Sequence, residues 1–320
     1  MKRLICFLLT LCCIVALFSG CGKDTGEAET TPSQITEPPY TNKEALQGKK
    51  IIFIGNSYTF FGNTVLNKDY SQLTQAERSH DQGYFYQLCK AKGIDVEVTN
   101  WTFGGHNLTD SFNGKCQMAE GYCGDVRHED YLVDRYFDYV CIQPFVEGHY
   151  QGDLVSHLEY IMNFFREENP NVKFLLLVPH MAAERNYNWF DDLDQLANTD
   201  ITVCNWGGML YDVCTGKVTV PGATMRYSRD SFVVSSDGHH ENLLVGYLTT
   251  LMVYCAITGE KADGQPYAFC SDVRINSGFD LDLFKSKYYP GGSYTNFVDA
   301  FRSEPDMRGF QQLVDQYLMK

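Results

Sequence analysis

The amino-acid sequence predicts an α/β domain built on a parallel sheet, and three observations carry the prediction. Near-continuous apolar runs of strand length recur at 51–54, 138–142 and 172–178, as expected of strands buried on both faces. Stretches with helical spacing lie between them, the clearest at 153–168. The first run stops at Gly55-Asn56-Ser57, so a small polar group stands at the carboxyl edge of the sheet, where open α/β folds place their ligands.

Bulk properties set the limits. The chain has 320 residues, 44% of them hydrophobic and 14% aromatic, which is ample for a packed core. The formal net charge is -14, and the first twenty residues contribute only Lys2 and Arg3, so the remainder is more acidic still. Such a surface repels nucleic-acid phosphates and anionic membranes, and neither is expected as a partner.

Residues 1–20 have two early cations, an apolar run from Leu4 to Phe18 and small residues at the end, the layout of a secretory signal. Leu17-Phe18-Ser19-Gly20-Cys21 resembles a bacterial lipobox, which makes Cys21 the expected lipidated N-terminus of the mature chain. Residues 21–48, rich in Thr, Glu and Pro, lack hydrophobic periodicity and read as a flexible tether. The globular domain is expected over 49–320, outside the cytoplasm and held to the membrane through Cys21 alone. Export permits disulfides, and Cys116 with Cys123 is the favoured pair, whereas Cys141 and Cys255 fall in apolar runs and read as core. No Cys or His spacing suggests zinc, and neither metal nor cofactor is expected.

The elements follow in order. Lys49 to Gly55 is the first strand, His80 to Lys92 a helix closed by Gly93, and Val96, Val98 and Trp101 mark a second strand that breaks at Gly104-Gly105. Asp138 to Ile142 is the third strand, ending at Gln143. The helix Asp153 to Glu168 sets Leu154, Leu158, Ile161, Met162 and Phe165 on one face, and Val172 to Val178 is the fourth strand, with His180 just beyond it. Asp191 to Ala197 reads as helical; Ile201 to Cys204 competes with Phe232 to Val234 for the fifth strand, and Gly207 to Val213 is helical. Leu243 to Ile257 is a long apolar helix, too short and too rich in Thr and Tyr to span a membrane. Asp306 to Met319 is a terminal helix with Phe310, Leu313, Val314 and Tyr317 inward. The loop Tyr288-Tyr289-Pro290-Gly291-Gly292, with Tyr294, is a candidate for stacking sugar rings, although tyrosines more often only pack.

Chemistry gathers at two ends of the domain. A serine oxygen at neutral pH needs a base to take its proton, and the base needs a carboxylate to hold its tautomer. Ser57 as nucleophile, His240 as base and Asp237 as its orienting acid meet that need; the plainer readings make Ser57 a turn residue and Asp237 a helix cap. His239 competes with His240 for the role of base.

Gly55-Asn56-Ser57-Tyr58-Thr59 near the start and Asp237-Gly238-x-His240 near the end, in that order, resemble the SGNH (GDSL-like) hydrolase superfamily, in particular a bacterial lipoprotein subgroup with a Gly-Asn-Ser-aromatic-Thr first block. The resemblance covers about residues 49–259. It implies a three-layer α/β/α sandwich with a flavodoxin-like parallel sheet and ester hydrolysis through an acyl-enzyme. It also implies an oxyanion hole from Ser57, Gly105 (with Gly104 the alternative) and Gln143, the only amide where the family's Gly-x-Asn-Asp block would stand. Asn56, His180 and His239 are expected against the substrate, although His180, on the sheet edge that carries Ser57, Gly105 and Gln143, reads more readily as a structural histidine. The superfamily contains carbohydrate esterases, lipases and thioesterases, and an O-acetylated carbohydrate suits a surface-anchored, acidic domain. A non-catalytic surface protein on the same fold, binding a glycan or other ligand, is the reading from another class. Residues 260–320 match no family block, and the oligomeric state stays open.

Overall fold

Four residues of the first strand, Ile51 to Ile54, are each 0% exposed, and their side chains alternate between two separate apolar clusters. That alternation is the period of two of an extended chain, and it means that helices cover both faces of the sheet. In the computed structural model, residues 42–114, 117–118, 121–122, 127–144, 154–179, 200–223, 226–233, 240–271 and 304–318 are described.

The main sheet has five parallel strands: β1 (Lys49–Gly55), β2 (Val96–Thr102), β3 (Tyr139–Ile142), β4 (Lys173–Leu177) and β5 (Ile201–Cys204). Their spatial order is β2-β1-β3-β4-β5, the flavodoxin-like winding. Ile201–Cys204 therefore takes the fifth place; of its competitor, Val233 makes only an isolated bridge to Glu241. A separate two-residue ladder pairs 117–118 with 121–122.

The first layer comprises α3 (Tyr84–Ala91), α7 (Trp206–Cys214), α8 (Leu243–Thr258) and α9 (Glu304–Leu318), packed on Ile51, Phe53, Val98 and Cys141. The second comprises α4 (Leu108–Phe112) and α6 (Leu154–Glu168), on Ile52, Ile54, Trp101 and Ile142. The fold is thus a three-layer α/β/α sandwich. Short helices α1 (Ser57–Phe60), α2 (Gln75–Ser79) and α5 (His128–Tyr131) line the loops.

Helix α8 is apolar on every side because every side is covered: α3, α7, α9 and the inner face of β5 surround it. Among the described residues no helix is long and apolar enough to cross a membrane. The N-cap of α8 is Asn242, whose side-chain oxygen accepts from Val245 N at 3.2 Å, so the capping role open to Asp237 belongs to Asn242 instead. Helix α9 buries Met307, Phe310, Leu313 and Val314 and gives Gln311 to the Tyr247 hydroxyl at 2.9 Å, which makes residues 304–318 part of the core.

The helix expected from His80 begins only at Tyr84. Asp81 prevents the earlier start. Its N–H donates to the Val98 carbonyl at 2.9 Å, and its fully buried carboxylate accepts from Leu66 N, Gly83 N and the Asn100 amide. Cys141 and Cys255 are buried free thiols, in keeping with a core role. The Cys116–Cys123 pair, the helix at 191–197 and the tyrosine loop at 288–294 lie outside the described residues.

Candidate active site

In a sheet of this order the chain leaves β1 for one side and later returns to the other, and the two connections part above the carboxyl ends of β1 and β3. Ser57 stands there, two residues after β1, and Gln143 stands there, directly after β3. The Gln143 N–H donates to the Ile54 carbonyl at 2.8 Å, and Phe103 N–H to the Gly55 carbonyl at 2.9 Å, so the ends of three strands are tied together.

Gly55 makes the turn between strand and helix tight. A Cβ there would stand 2.6 Å from Thr59 Oγ1 and 2.8 Å from Gln143 Oε1, closer than any side chain tolerates. Asn56, extended at φ -130° and ψ -154°, is the N-cap of α1; its side-chain oxygen accepts from Tyr58 N at 3.0 Å. Its amide nitrogen donates to the His106 carbonyl at 3.0 Å. Asn56, expected against the substrate, is 1% exposed and in fact ties the turn bearing Ser57 to the loop bearing Gly105.

That loop is fastened from its other side as well. Gly104 N–H donates to Asp69 Oδ2 at 2.5 Å, so of the two candidate glycines Gly104 has its donor engaged. Gly105 sits at φ +76°, is exposed, and a Cβ on it would meet nothing within 4 Å. Among the described residues neither Gly105 N–H nor Ser57 N–H has an acceptor. Two backbone donors are therefore left on either side of the Asn56–His106 bond.

Gln143 has a part that the sequence does not announce. Its side-chain oxygen accepts from Asn56 N at 3.1 Å and from the Thr59 hydroxyl at 2.9 Å, while its amide nitrogen donates to the Pro144 carbonyl. An N–H can only donate, so the Asn56 amide fixes which end of Gln143 faces it. Gln143 thus clamps the turn, and only its second amide hydrogen remains for an oxyanion. The sole sequence signal was position: the one amide at the end of the third strand.

His240 reaches the same place from the far end of the chain. Its ring stacks on Phe61 with centroids 4.1 Å apart and planes at 16°, and lies 5.6 Å from the Tyr58 ring. Phe61 caps the carboxyl end of α1, four residues after Ser57, so the imidazole lies against the same short helix that begins at Ser57. What brings it there is a backbone contact that no motif records. The turn after α1 and the first turn of α8 touch through two glycines: a Cβ on Gly246 would lie 1.7 Å from the Gly62 carbonyl oxygen. Thr64 adds a hydrogen bond of 3.1 Å to the Gly246 carbonyl. Asp237, His239 and His180 lie outside the described residues. Among the described residues no three His, Cys, Asp or Glu side chains gather where they could hold a metal.

No protein-family model matches the chain, and none of the curated proteins matches it. Solved structures similar to it include a candidate SGNH hydrolase from Slackia heliotrinireducens, at 14% identity over 64% of this chain and 97% of that one, with a TM-score of 0.39. TesA is similar at 14% identity over 65% of this chain and 98% of its own, TM-score 0.39. A family two carbohydrate esterase from Clostridium thermocellum, solved with cellohexaose, is similar at 12% identity over 66% and 64%, TM-score 0.36.

Proposed function

We propose that the chain is an extracytoplasmic serine esterase of the SGNH type, anchored by lipid on Cys21, that removes acyl groups from O-acetylated carbohydrate. The observation that carries the reading is the His240 ring stacked on Phe61, the residue that caps the short helix beginning at Ser57. In the proposed reaction His240 takes the Ser57 hydroxyl proton as the oxygen attacks the ester carbonyl. Asp237 holds the imidazole and its charge. The N–H groups of Ser57 and Gly105, with the second amide hydrogen of Gln143, receive the oxyanion. His240 then returns the proton to the departing alcohol, and a water activated the same way frees the acid and Ser57.

A binding protein on the same fold is the second reading, and the engagement of Gln143 with Asn56, Thr59 and Pro144 favours it, because one expected donor is already partly committed. Labelling by a fluorophosphonate separates the two. The esterase reading expects stoichiometric labelling of the parent chain and loss of label in both Ser57→Ala and His240→Ala, followed by acetate release from an acetylated glycan. A folded parent that takes no label would move the assignment to the binding protein.

A further inference from the structure

On the second face of the sheet, beside the outer strand β2, lies a cavity of about 250 Å³ whose lining includes Arg78, Arg135, Thr99, Tyr70, Trp101 and Tyr131. Its chemistry runs against that of the rest of the molecule. The chain carries a net charge of -14, yet among the described residues two guanidiniums and no carboxylate line this cavity. Neither Arg78 nor Arg135 has an ion-pair partner among the described residues; Glu77, next to Arg78, is committed to Lys68 at 2.8 Å. Arg78 lies over the Tyr70 ring, 4.3 Å from its centroid.

Two buried polar atoms at the cavity lack a hydrogen-bond partner among the described residues: Arg78 Nε and Thr99 Oγ1. Thr99 is 2% exposed. Buried polar groups are nearly always bonded, and two at one cavity specify what would complete them. The guanidinium needs an acceptor, best an anionic one, and the hydroxyl suits a second hydroxyl. Tyr131, 38% exposed at the rim, and Trp101 behind it offer aromatic surface for a ring. The volume is below that of pockets for drug-sized ligands, about 300 Å³ and upward, which suits one ring and not a chain of them.

We propose that this cavity binds an acidic monosaccharide, a single pyranose ring bearing a carboxylate or phosphate. Arg78 and Arg135 hold the anion, Thr99 a ring hydroxyl, and Tyr131 the ring face. The site extends beyond the ester chemistry and does not depend on it. It does adjoin the same loop: Tyr70 packs on Phe103 at 4.8 Å, and Asp69, its neighbour, takes the Gly104 N–H.

The test is calorimetric titration of the full chain with D-glucuronate, glucose 6-phosphate and neutral methyl glucoside. At least one of the two anionic sugars should bind with a Kd at or below about 1 mM, and which one does identifies the anion; the neutral glycoside should be at least about tenfold weaker. Arg135→Gln, at an exposed position, should weaken binding about tenfold or more. Thr99→Val keeps the side-chain shape and should do the same with no loss of stability, because its hydroxyl has no partner to forfeit among the described residues. No saturable binding of either anion, equal binding of the neutral sugar, or full binding by the Arg135→Gln and Thr99→Val variants would each overturn the proposal, whatever the outcome of labelling at Ser57.

Discussion

Alanine at Gly246 is the sharpest perturbation that the geometry offers, because it touches neither Ser57 nor His240. The added methyl would start 1.7 Å from the Gly62 carbonyl oxygen, whereas real contacts of this kind stay beyond 3.0 Å, so backbone must part from backbone by more than an ångström. Neither side can yield by rotating a side chain. The first turn of α8 then recedes from the turn after α1, and His240, three residues ahead of α8, recedes with it. Overpacking of this sort costs about 1–3 kcal/mol of stability. A misplacement of this size at a reacting pair costs on the order of 100-fold in rate. Fluorophosphonate labelling kinetics, beside urea denaturation, measure both. The expected result is a folded variant, modestly less stable, that labels about two orders of magnitude more slowly. Labelling at the parental rate would refute the argument that the glycine contact sets the position of His240.

Two further outcomes concern stability. Burial pushes the Asp81 carboxyl up to about 6, against the pull of the Gly83, Asn100 and Leu66 donors. The native state then keeps a proton that the unfolded chain, with a value near 3.8, has already released. Its contribution is fully present below pH 4 and declines as the pH rises through 6, by about 3 kcal/mol in all. The stability gap between the parent and Asp81→Asn, followed by urea denaturation from pH 4 to 7, should shrink accordingly; parallel profiles would contradict this. Phe310→Ala should cost about 3–5 kcal/mol, since Phe310 is 0% exposed and packs edge-on against Tyr227 at 4.8 Å; a loss below about 1 kcal/mol would mark α9 as an appendage.

The strands were legible because burial on both faces leaves an unbroken apolar run, as at Ile51 to Ile54, and α6 because its five inward residues repeat at helical spacing. Helix α3 was misjudged at its start because the pattern from His80 onward says nothing of Leu66 and Asn100, whose bonds to Asp81 hold that segment out of the helix. At the site, motif spacing brought Ser57 and His240 into one hypothesis. It was silent on what joins them: the contact of Gly62 with Gly246 spans most of the domain, and a glycine in an apolar helix carries no label of its partner. Gln143 shows the same limit. Its position at the end of β3 was readable, but the direction of its amide is set by the N–H of Asn56, which only the folded chain presents.

The all-round burial of α8 also bears on the order in which the molecule can be made. Its cover includes α9, which is synthesised some forty-five residues later. Until residues 304–318 emerge and dock, a fully apolar rod has one side open to water, so this core cannot close before α9 has been made. A nascent chain therefore shows proteases and chaperones a face that the folded domain conceals, and α9 is the element whose docking hides it.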